Sequence, residues 1–369
     1  MLALLALTVW LYLYFAHGRF WVSAPELPAD TPTQTPPVDI IVPARDEAAT
    51  IAPVIGSLLA QDYAGAVQVL LVDDESTDGT AQLAGTAARL RILRGQPKPA
   101  GWSGKLWALQ QGVAASSAPW LLFTDADIVH DSRHLGALMA GAQRHGVGLL
   151  SEMVRLNCSS LAERALVPAF VYFFQMLYPF ARVNDPRSGV AAAAGGTVLI
   201  ERAILARSGG IAAIRGALID DVALAALVKP AAPIFLGHSA LAASIRPYPH
   251  FRDLWQMIAR TAFTQLRYSA LLLAGTVAAL TLVWLVPVAC MLDGRELSRE
   301  CGLLAFGLAA MSYQPTLRRY RRSPLWALAL PLIALFYMAA TIDSARSYWF
   351  GRGSRWKSRA YERAPDQRR

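Results

Sequence analysis

Val38-Asp39-Ile40-Ile41-Val42-Pro43-Ala44-Arg45-Asp46-Glu47 is the stretch that decides the fold of this chain. A short, nearly continuous apolar run that ends in polar residues reads as a buried strand feeding a loop. Behind it, Ile51, Val54, Ile55, Leu58 and Leu59 recur at the spacing of one helix face. The pattern repeats: Val67 to Val72 reads as a second strand and Ala81 to Leu90 as a second helix. Trp120 to Thr124 reads as a third strand, followed by a helix through Leu135 and Leu138. Such alternation predicts an α/β domain with a mainly parallel sheet and helices on both faces.

Outside this domain the composition changes. The chain has 369 residues, 54% hydrophobic and 17% charged, with a net charge of +9 and a mean hydropathy of +0.34. Soluble domains carry about 25% charged residues. Disorder and a secreted disulfide scaffold are excluded. Residues 315–369 hold 12 Lys+Arg against 3 Asp+Glu, which accounts for the whole surplus and leaves the first 314 residues neutral. No basic patch remains for nucleic acid.

Four uncharged stretches approach the roughly 20 residues that a helical span needs: Met1 to His17, Ser269 to Leu292, Cys301 to Leu317 and Ser323 to Ile342. The first lacks a basic n-region and an A-x-A site, so it reads as an uncleaved anchor. Arg19 then favours a cytoplasmic exit by the positive-inside rule, which puts residues 20–268 in the cytoplasm. The chain is expected to be an integral protein of the inner or cell membrane. Both Arg318-Arg319-Tyr320-Arg321-Arg322 and the basic tail should stay inside, so one C-terminal segment should not span. Ser323 to Ile342, with Pro324 and Pro331, is expected to be a re-entrant hairpin, and the 17-residue stretch at Cys301 is the alternative. The expected boundaries are an anchor at 1–22, a Pro- and Thr-containing linker at 23–37, the α/β domain at 38–268, membrane segments at 269–342 and a basic cytoplasmic tail at 343–369.

In sheets of this kind ligands bind beyond the carboxyl ends of the strands, where this sequence puts its polar residues. The first strand ends in Pro43-Ala44-Arg45-Asp46-Glu47, the second in Asp73-Asp74-Glu75-Ser76-Thr77-Asp78-Gly79-Thr80, the third in Asp125-Ala126-Asp127. Single runs of this type serve as turns and caps; three in succession point to a site. A P-loop is excluded, because Leu106 follows Gly104-Lys105 and Pro99 stands where the first Gly belongs. No G-x-G-x-x-G follows the first strand, which removes a dehydrogenase. In Asp125-Ala126-Asp127 the carboxylates at i and i+2 of an extended segment share one side. They suit a hard divalent cation, Mg²⁺ or Mn²⁺, that completes its shell with substrate phosphates. Asp220-Asp221 precedes a helix, where two acids either answer the helix dipole or supply a general base.

These motifs, in this order over roughly residues 37 to 268, resemble the membrane-bound family 2 glycosyltransferases with a GT-A fold, a Rossmann-like, mainly parallel sheet. Within that family, Gly101-Trp102-Ser103-Gly104-Lys105, Arg260 to Tyr268 and Trp356 to Tyr361 are most similar to the hopanoid-biosynthesis-associated glycosyltransferases of the HpnB type. The resemblance implies that Pro43, Arg45, Glu47, Asp73 and Asp74 hold the nucleoside and that Lys105 lies near the diphosphate. It implies that Asp125 carries the ribose and phosphate side, with Asp127 as the main metal ligand. Asp221 is then the base beside Asp220, although Ile219-Asp220 departs from the family's T-E before it. The polymerase motif Q-x-x-R-W has no clean match in Gln265-Leu266-Arg267-Tyr268 or in Gln256 with Arg260. The resemblance therefore implies inverting transfer of a single sugar from a nucleotide-diphosphate donor to a membrane lipid. Arg260, Gln265 and Arg267 are diphosphate or acceptor candidates, as are Gly195 and Gly196. A polyprenyl-phosphate, carotenoid or other glycolipid transferase fits the same motifs. The alternative of another class is a non-catalytic membrane protein or transporter: a transporter would carry charges inside its spans, where there are none, and a dead relative should have lost Asp125, Asp127 or Asp221, which are all present.

Leu161 to Arg182, rich in aromatics and broken by Pro168 and Pro179, is either a core helix or an interfacial element for the acceptor. Ala191 to Thr197 serves either close packing or the donor sugar. The six histidines show no metal spacing and read as surface or core residues. Cys158, Cys290 and Cys301 show none either; Cys290 and Cys301 read as small apolar membrane residues or as a pair closing an external loop.

Overall fold

The computed structural model describes residues 1–23 and 25–350, with the backbone of Arg355–Trp356 and Arg359–Ala360. Apart from those four positions, the expected tail beyond Phe350 and the motif at Trp356 to Tyr361 lie outside the described residues. The chain divides into two compact units. A sheet unit comprises Ala24–Asn157, Arg182–Pro247 and Arg355–Arg369, and a helical unit comprises Met1–Ser23, Cys158–Ala181 and Tyr248–Ser354. Residues 158–181 and 248–268, expected within one continuous domain at 38–268, thus group with the apolar helices.

The strands of the sheet unit are β1 (Val38–Ala44), β2 (Val67–Asp73), β3 (Leu90–Arg94), β4 (Trp120–Thr124), β5 (Ile128–His130), β6 (Leu149–Arg155), β7 (Thr197–Glu201) and β8 (Ile234–Ser244). They lie in the order β3-β2-β1-β4-β7-β6-β8-β5. β1 is buried along its whole length, which its apolar run anticipates for a strand covered on both faces. β3, β2, β1 and β4 run parallel, as do β6 and β8, while β7 is antiparallel to β4 and β6 and β5 is antiparallel to β8. The sheet is therefore mixed, with a parallel half that matches the expected α/β order.

One expected element is corrected. Ala81 to Leu90 is not one helix: only Thr80–Leu83 is helical, and the chain re-enters the sheet at β3. Leu90 and Ile92 alternate with Arg91, and the two apolar side chains pack on the core, the period-2 pattern of a half-buried strand. The first helix, Ile51–Leu59, and the helix His134–His145 lie where the spacing puts them.

The topology also sets the site. β1, β2 and β4 are parallel, so their carboxyl ends open on one edge. Because β7 pairs antiparallel with β4, Thr124 opposite Thr197, the Ala194-Gly195-Gly196 run enters beside Asp125. β5 opposes the end of β8, with Ile128 opposite Ser244, and Ile245 N–H donates to Asp127 O at 2.9 Å. Arg246 is thereby carried to the third acidic turn.

Among the described residues of the helical unit, two helices are long and apolar enough to cross a membrane: Ala270–Met291, 22 residues of mean hydropathy 2.3, and Pro324–Trp349, 26 residues of mean hydropathy 2.1. The second corrects the expected hairpin. Pro324 and Pro331 fall in the first turns of a 3₁₀ segment and of the α-helix it feeds, where a missing N–H leaves no bond unmade. The stretch at Cys301 lies in the helix Glu296–Arg319. The N-terminal stretch forms a 14-residue helix, Leu2–Phe15, about 21 Å long at 1.5 Å per residue and short of a hydrocarbon core of about 30 Å. It is tied inward by Trp10, fully buried, whose indole N–H donates to Val283 O at 2.8 Å. That carbonyl lies four residues before Pro287, which has no N–H to offer it, and the helix widens to a π turn at Thr281–Leu285. Leu161–Leu177 is one helix that continues through Pro168. Tyr172 within it is buried against Phe20, Trp284 and Tyr313, which supports the packing reading of this stretch. All three cysteines are free, so Cys290 and Cys301 do not form the alternative pair.

Candidate active site

The loops after β1 and β2 are knitted together by their own polar side chains. Arg45, 9% exposed, donates from Nη1 to Asp74 O at 2.5 Å and lies 3.6 Å from the fully buried Asp74 carboxylate. Asp46 accepts from Thr77 N–H at 2.9 Å, Glu47 N–H donates to Thr80 Oγ1 at 2.8 Å, and Asp78 accepts from Ala48 N–H at 2.9 Å. Asp73 Oδ1 accepts from Ser76 N–H at 3.2 Å. Asp46 and Glu75 hold φ of 51° and 56°, a region costly for residues with a Cβ, so these bonds hold a turn that the backbone alone disfavours. The Asp-rich run is thus turn chemistry in part, yet it fixes Pro43, Arg45, Glu47 and Asp73 at one edge of the sheet.

A second group surrounds Lys105. It enters at the start of the helix Gly104–Ala115, which Ser103 caps by accepting from Leu106 N–H at 3.3 Å. Its ammonium lies 2.8 Å from Asp125 Oδ1 and 2.9 Å from Asp220 Oδ2. Burial works against that charge, but the carboxylates of Asp125 and Asp220 hold the lysine well above its ordinary range. Burial raises the Asp125 carboxyl, with Lys105 opposing and Asp127 adding to the rise.

Asp221 lies in the first turn of the helix Asp220–Val228. Its Oδ2 accepts from Gly195 N–H at 2.7 Å and its Oδ1 from Val222 N–H at 2.8 Å. The second bond is the capping role; the first reaches across to the strand entering β7. A Cβ on Gly195 would stand 3.2 Å from Asp221 Oδ2 and 3.4 Å from Lys105 Nζ, so the approach depends on glycine. Burial, then the neighbouring Asp220, push the Asp221 carboxyl up to about 7, against the pull of Lys105. Lys105, Asp125, Gly195, Asp220 and Asp221 line one cavity, floored by Leu106, Leu109 and Phe123.

The third group was not legible in the sequence. Arg246 donates from Nε to Asp127 Oδ2 at 2.5 Å and from Nη2 to both Glu47 oxygens at 2.7 and 2.8 Å. Both carboxylates of Asp125-Ala126-Asp127 therefore hold a cation of the protein itself. Among the described residues no cluster of three or more His, Cys, Asp or Glu could hold a metal. Two hard oxygen donors fit Mg²⁺ or Mn²⁺ nonetheless, since these ions commonly take one or two carboxylates and complete the shell with substrate phosphates and water.

Residues 39–209 match the family described as Glycosyl transferase family 2. Over that stretch, somewhat under half of its length, the chain is similar to a family 2 glycosyltransferase domain. An N-acetylglucosaminyltransferase of Azorhizobium caulinodans is 28% identical over 139 residues, 36% of this chain and 34% of that protein. The chain thus spans about a third of that relative's length. A mannosyltransferase from Pyrobaculum calidifontis, solved in complex with GDP-Man and Mn²⁺, shares 18% identity and a TM-score of 0.54, covering 95% of this chain and 99% of that one. At that identity the likeness is one of fold, and it supports a GT-A-like arrangement of the glycosyltransferase domain. Arg260, Gln265 and Arg267 belong to the helical unit, on the helix Phe251–Gln265 and the turn after it, where Gln265 donates to the Tyr178 hydroxyl.

Proposed function

We propose that the protein is an inverting glycosyltransferase that moves one sugar from a nucleotide-diphosphate donor to a membrane lipid. The observation that carries this reading is the Asp221 carboxylate. It is half-buried, pushed up to about 7, and set beside Lys105, Asp125 and Gly195 in one cavity. A carboxylate with that pKa exchanges a proton near neutral pH, as a general base must. Asp221 removes the proton from an acceptor hydroxyl. The hydroxyl oxygen bonds to the anomeric carbon from the face opposite the donor, and the bond from that carbon to the diphosphate oxygen breaks. Lys105 supplies a fixed positive charge for the departing diphosphate. Pro43, Arg45, Glu47, Asp73 and Asp74 hold the nucleoside at the edge formed by β1 and β2.

Asp125 and Asp127 would hold a divalent cation in place of their contacts with Lys105 and Arg246. A bound Mg²⁺ or Mn²⁺ would neutralise charge on the leaving diphosphate as a Lewis acid. The lipid acceptor is supported by the two long apolar helices and by the likeness of the sequence to hopanoid-associated glycosyltransferases. It is expected to arrive from the cytoplasmic leaflet, where Arg260, Gln265 and Arg267 serve diphosphate or acceptor. The test is incubation of membranes holding the protein with a panel of labelled nucleotide sugars and Mg²⁺ or Mn²⁺, with the labelled product identified by mass. A labelled hopanoid supports the reading in full, and a labelled polyprenyl phosphate or carotenoid changes its acceptor. Absence of any labelled lipid refutes it.

A further inference from the structure

Behind the acidic turn lies a buried chain of hydrogen bonds that the transfer step does not use. Glu152 Oε2 on β6 meets His134 Nε2 at 2.7 Å, His134 Nδ1 meets His130 Nδ1 at 2.7 Å, and His130 Nε2 meets Thr124 Oγ1 at 3.0 Å. Thr124 Oγ1 in turn donates to Gly196 O at 2.9 Å. Glu152, His134, His130 and Thr124 are between 1% and 5% exposed. Polar groups this buried are as a rule hydrogen-bonded.

The proton count closes. A carbonyl has no proton to give, so the single Thr124 hydroxyl proton lies towards Gly196 O. Thr124 Oγ1 must then accept from His130 Nε2–H. One proton lies between the two Nδ1 atoms and one between His134 and Glu152. Three protons over two imidazoles and one carboxylate leave the group neutral: His130 uncharged, with either imidazolium His134 beside carboxylate Glu152 or both protonated to neutrality. Burial, with His134 alongside, holds His130 in its uncharged form, in agreement with this count.

The chain joins two pieces of the site. Thr124 ends β4 and His130 ends β5, so their bond closes the turn that carries Asp125 and Asp127. Gly196 follows Gly195, whose N–H holds Asp221. Ser151, next to Glu152, fastens the same run from the other side, accepting from Ala194 N–H at 2.8 Å and donating to Ala194 O at 3.1 Å.

We propose that Glu152, His134, His130 and Thr124 are positioning residues, a buried relay that sets the Asp125-Ala126-Asp127 turn against the Gly195 amide holding Asp221. The inference rests on the glycosyl-transfer reading above and deepens it. The test uses the full chain in detergent, without donor or acceptor. Thr124→Val keeps the volume and removes the hydroxyl; His130→Phe keeps a ring and removes both nitrogens. Either is expected to speed amide exchange at residues 125–128 and 194–196 about tenfold and to weaken Mn²⁺ binding, titrated by its paramagnetic signal, about tenfold, the scale of one buried hydrogen bond. Thr124→Ser restores both readouts. Leu138→Ala, a core truncation outside the chain, lowers the melting temperature but leaves both readouts in place. Unchanged exchange in both variants, or equal changes in Leu138→Ala, overturns the relay. Wild-type protein that binds no Mn²⁺ here and labels no lipid in the separate nucleotide-sugar assay refutes instead the transfer reading, and the exchange data still decide the relay.

Discussion

Removing either neighbour of Asp221 should move its titration in opposite directions. Asp220 pushes the Asp221 carboxyl up and Lys105 pulls it down, with burial the larger cause behind both. Lys105 and Asp220 are 2.9 Å apart, with side chains 20% and 21% exposed. At an effective dielectric of about 20, a unit pair at that separation interacts by about 6 kcal/mol. Asp221 feels each partner from farther away and through partial solvent, which brings the effect to about 1.4 kcal/mol, or about one pKa unit. The acid is raised, so its base form exists above about pH 7 and is lost as pH falls. The lower limb of kcat/KM reports this group in the free enzyme. Wild type should keep about a tenth of its plateau at pH 6, Asp220→Asn about half, and Lys105→Met about a hundredth. The plateau of Lys105→Met will fall as well, because a diphosphate contact is lost, so the position of the limb is the readout. Both limbs moving the same way, or Asp220→Asn leaving the limb at 7, would refute the electrostatic account.

Three further changes separate site from scaffold. Gly195→Ala puts a Cβ 3.2 Å from Asp221 Oδ2; kcat should fall about tenfold with the melting temperature nearly unchanged, measured by transfer assay and thermal unfolding. Gly112→Ala places a Cβ 2.4 Å from Ile41 Cγ2 in the helix that covers β1. It should destabilise the protein by about 1–3 kcal/mol, and the folded fraction should keep its donor KM. Trp10→Phe strips the indole donor from the Val283 carbonyl, whose i+4 position is the donorless Pro287; thermal unfolding in detergent should show a loss of about 1–3 kcal/mol.

The sequence made β1 and β4 legible because a strand buried on both faces must be written as a nearly continuous apolar run. β3 was hidden because Leu90 also continues the spacing of an Ala-rich helix, and only pairing with β2 separates the two periods. Asp125, Asp127 and Asp221 announced themselves as polar residues at strand ends and at a helix start, Lys105 only through the resemblance, and the fold brings Lys105, Asp125 and Asp221 into one cavity. Arg246 did not, since its partners Glu47 and Asp127 are 199 and 119 residues away, and an isolated Arg before Pro247 carries no local pattern. His130 and His134 stand four apart, but the third member of their chain is Glu152 on a neighbouring strand, a relation that only the sheet creates. Pro324 and Pro331 misled for a local reason: a proline marks a break inside a helix and a start in its first turn, and spacing alone does not tell which.

The central claim is that Asp221 activates an acceptor hydroxyl for attack on a nucleotide sugar. The most direct measurement compares wild type with Asp221→Asn in purified form, using the donor that labels lipid best and following both transfer and donor binding. The account expects Asp221→Asn to bind the donor with affinity close to wild type and to transfer at least about a hundredfold more slowly. Transfer at the wild-type rate by Asp221→Asn, with the limb near pH 7 still present, would contradict it.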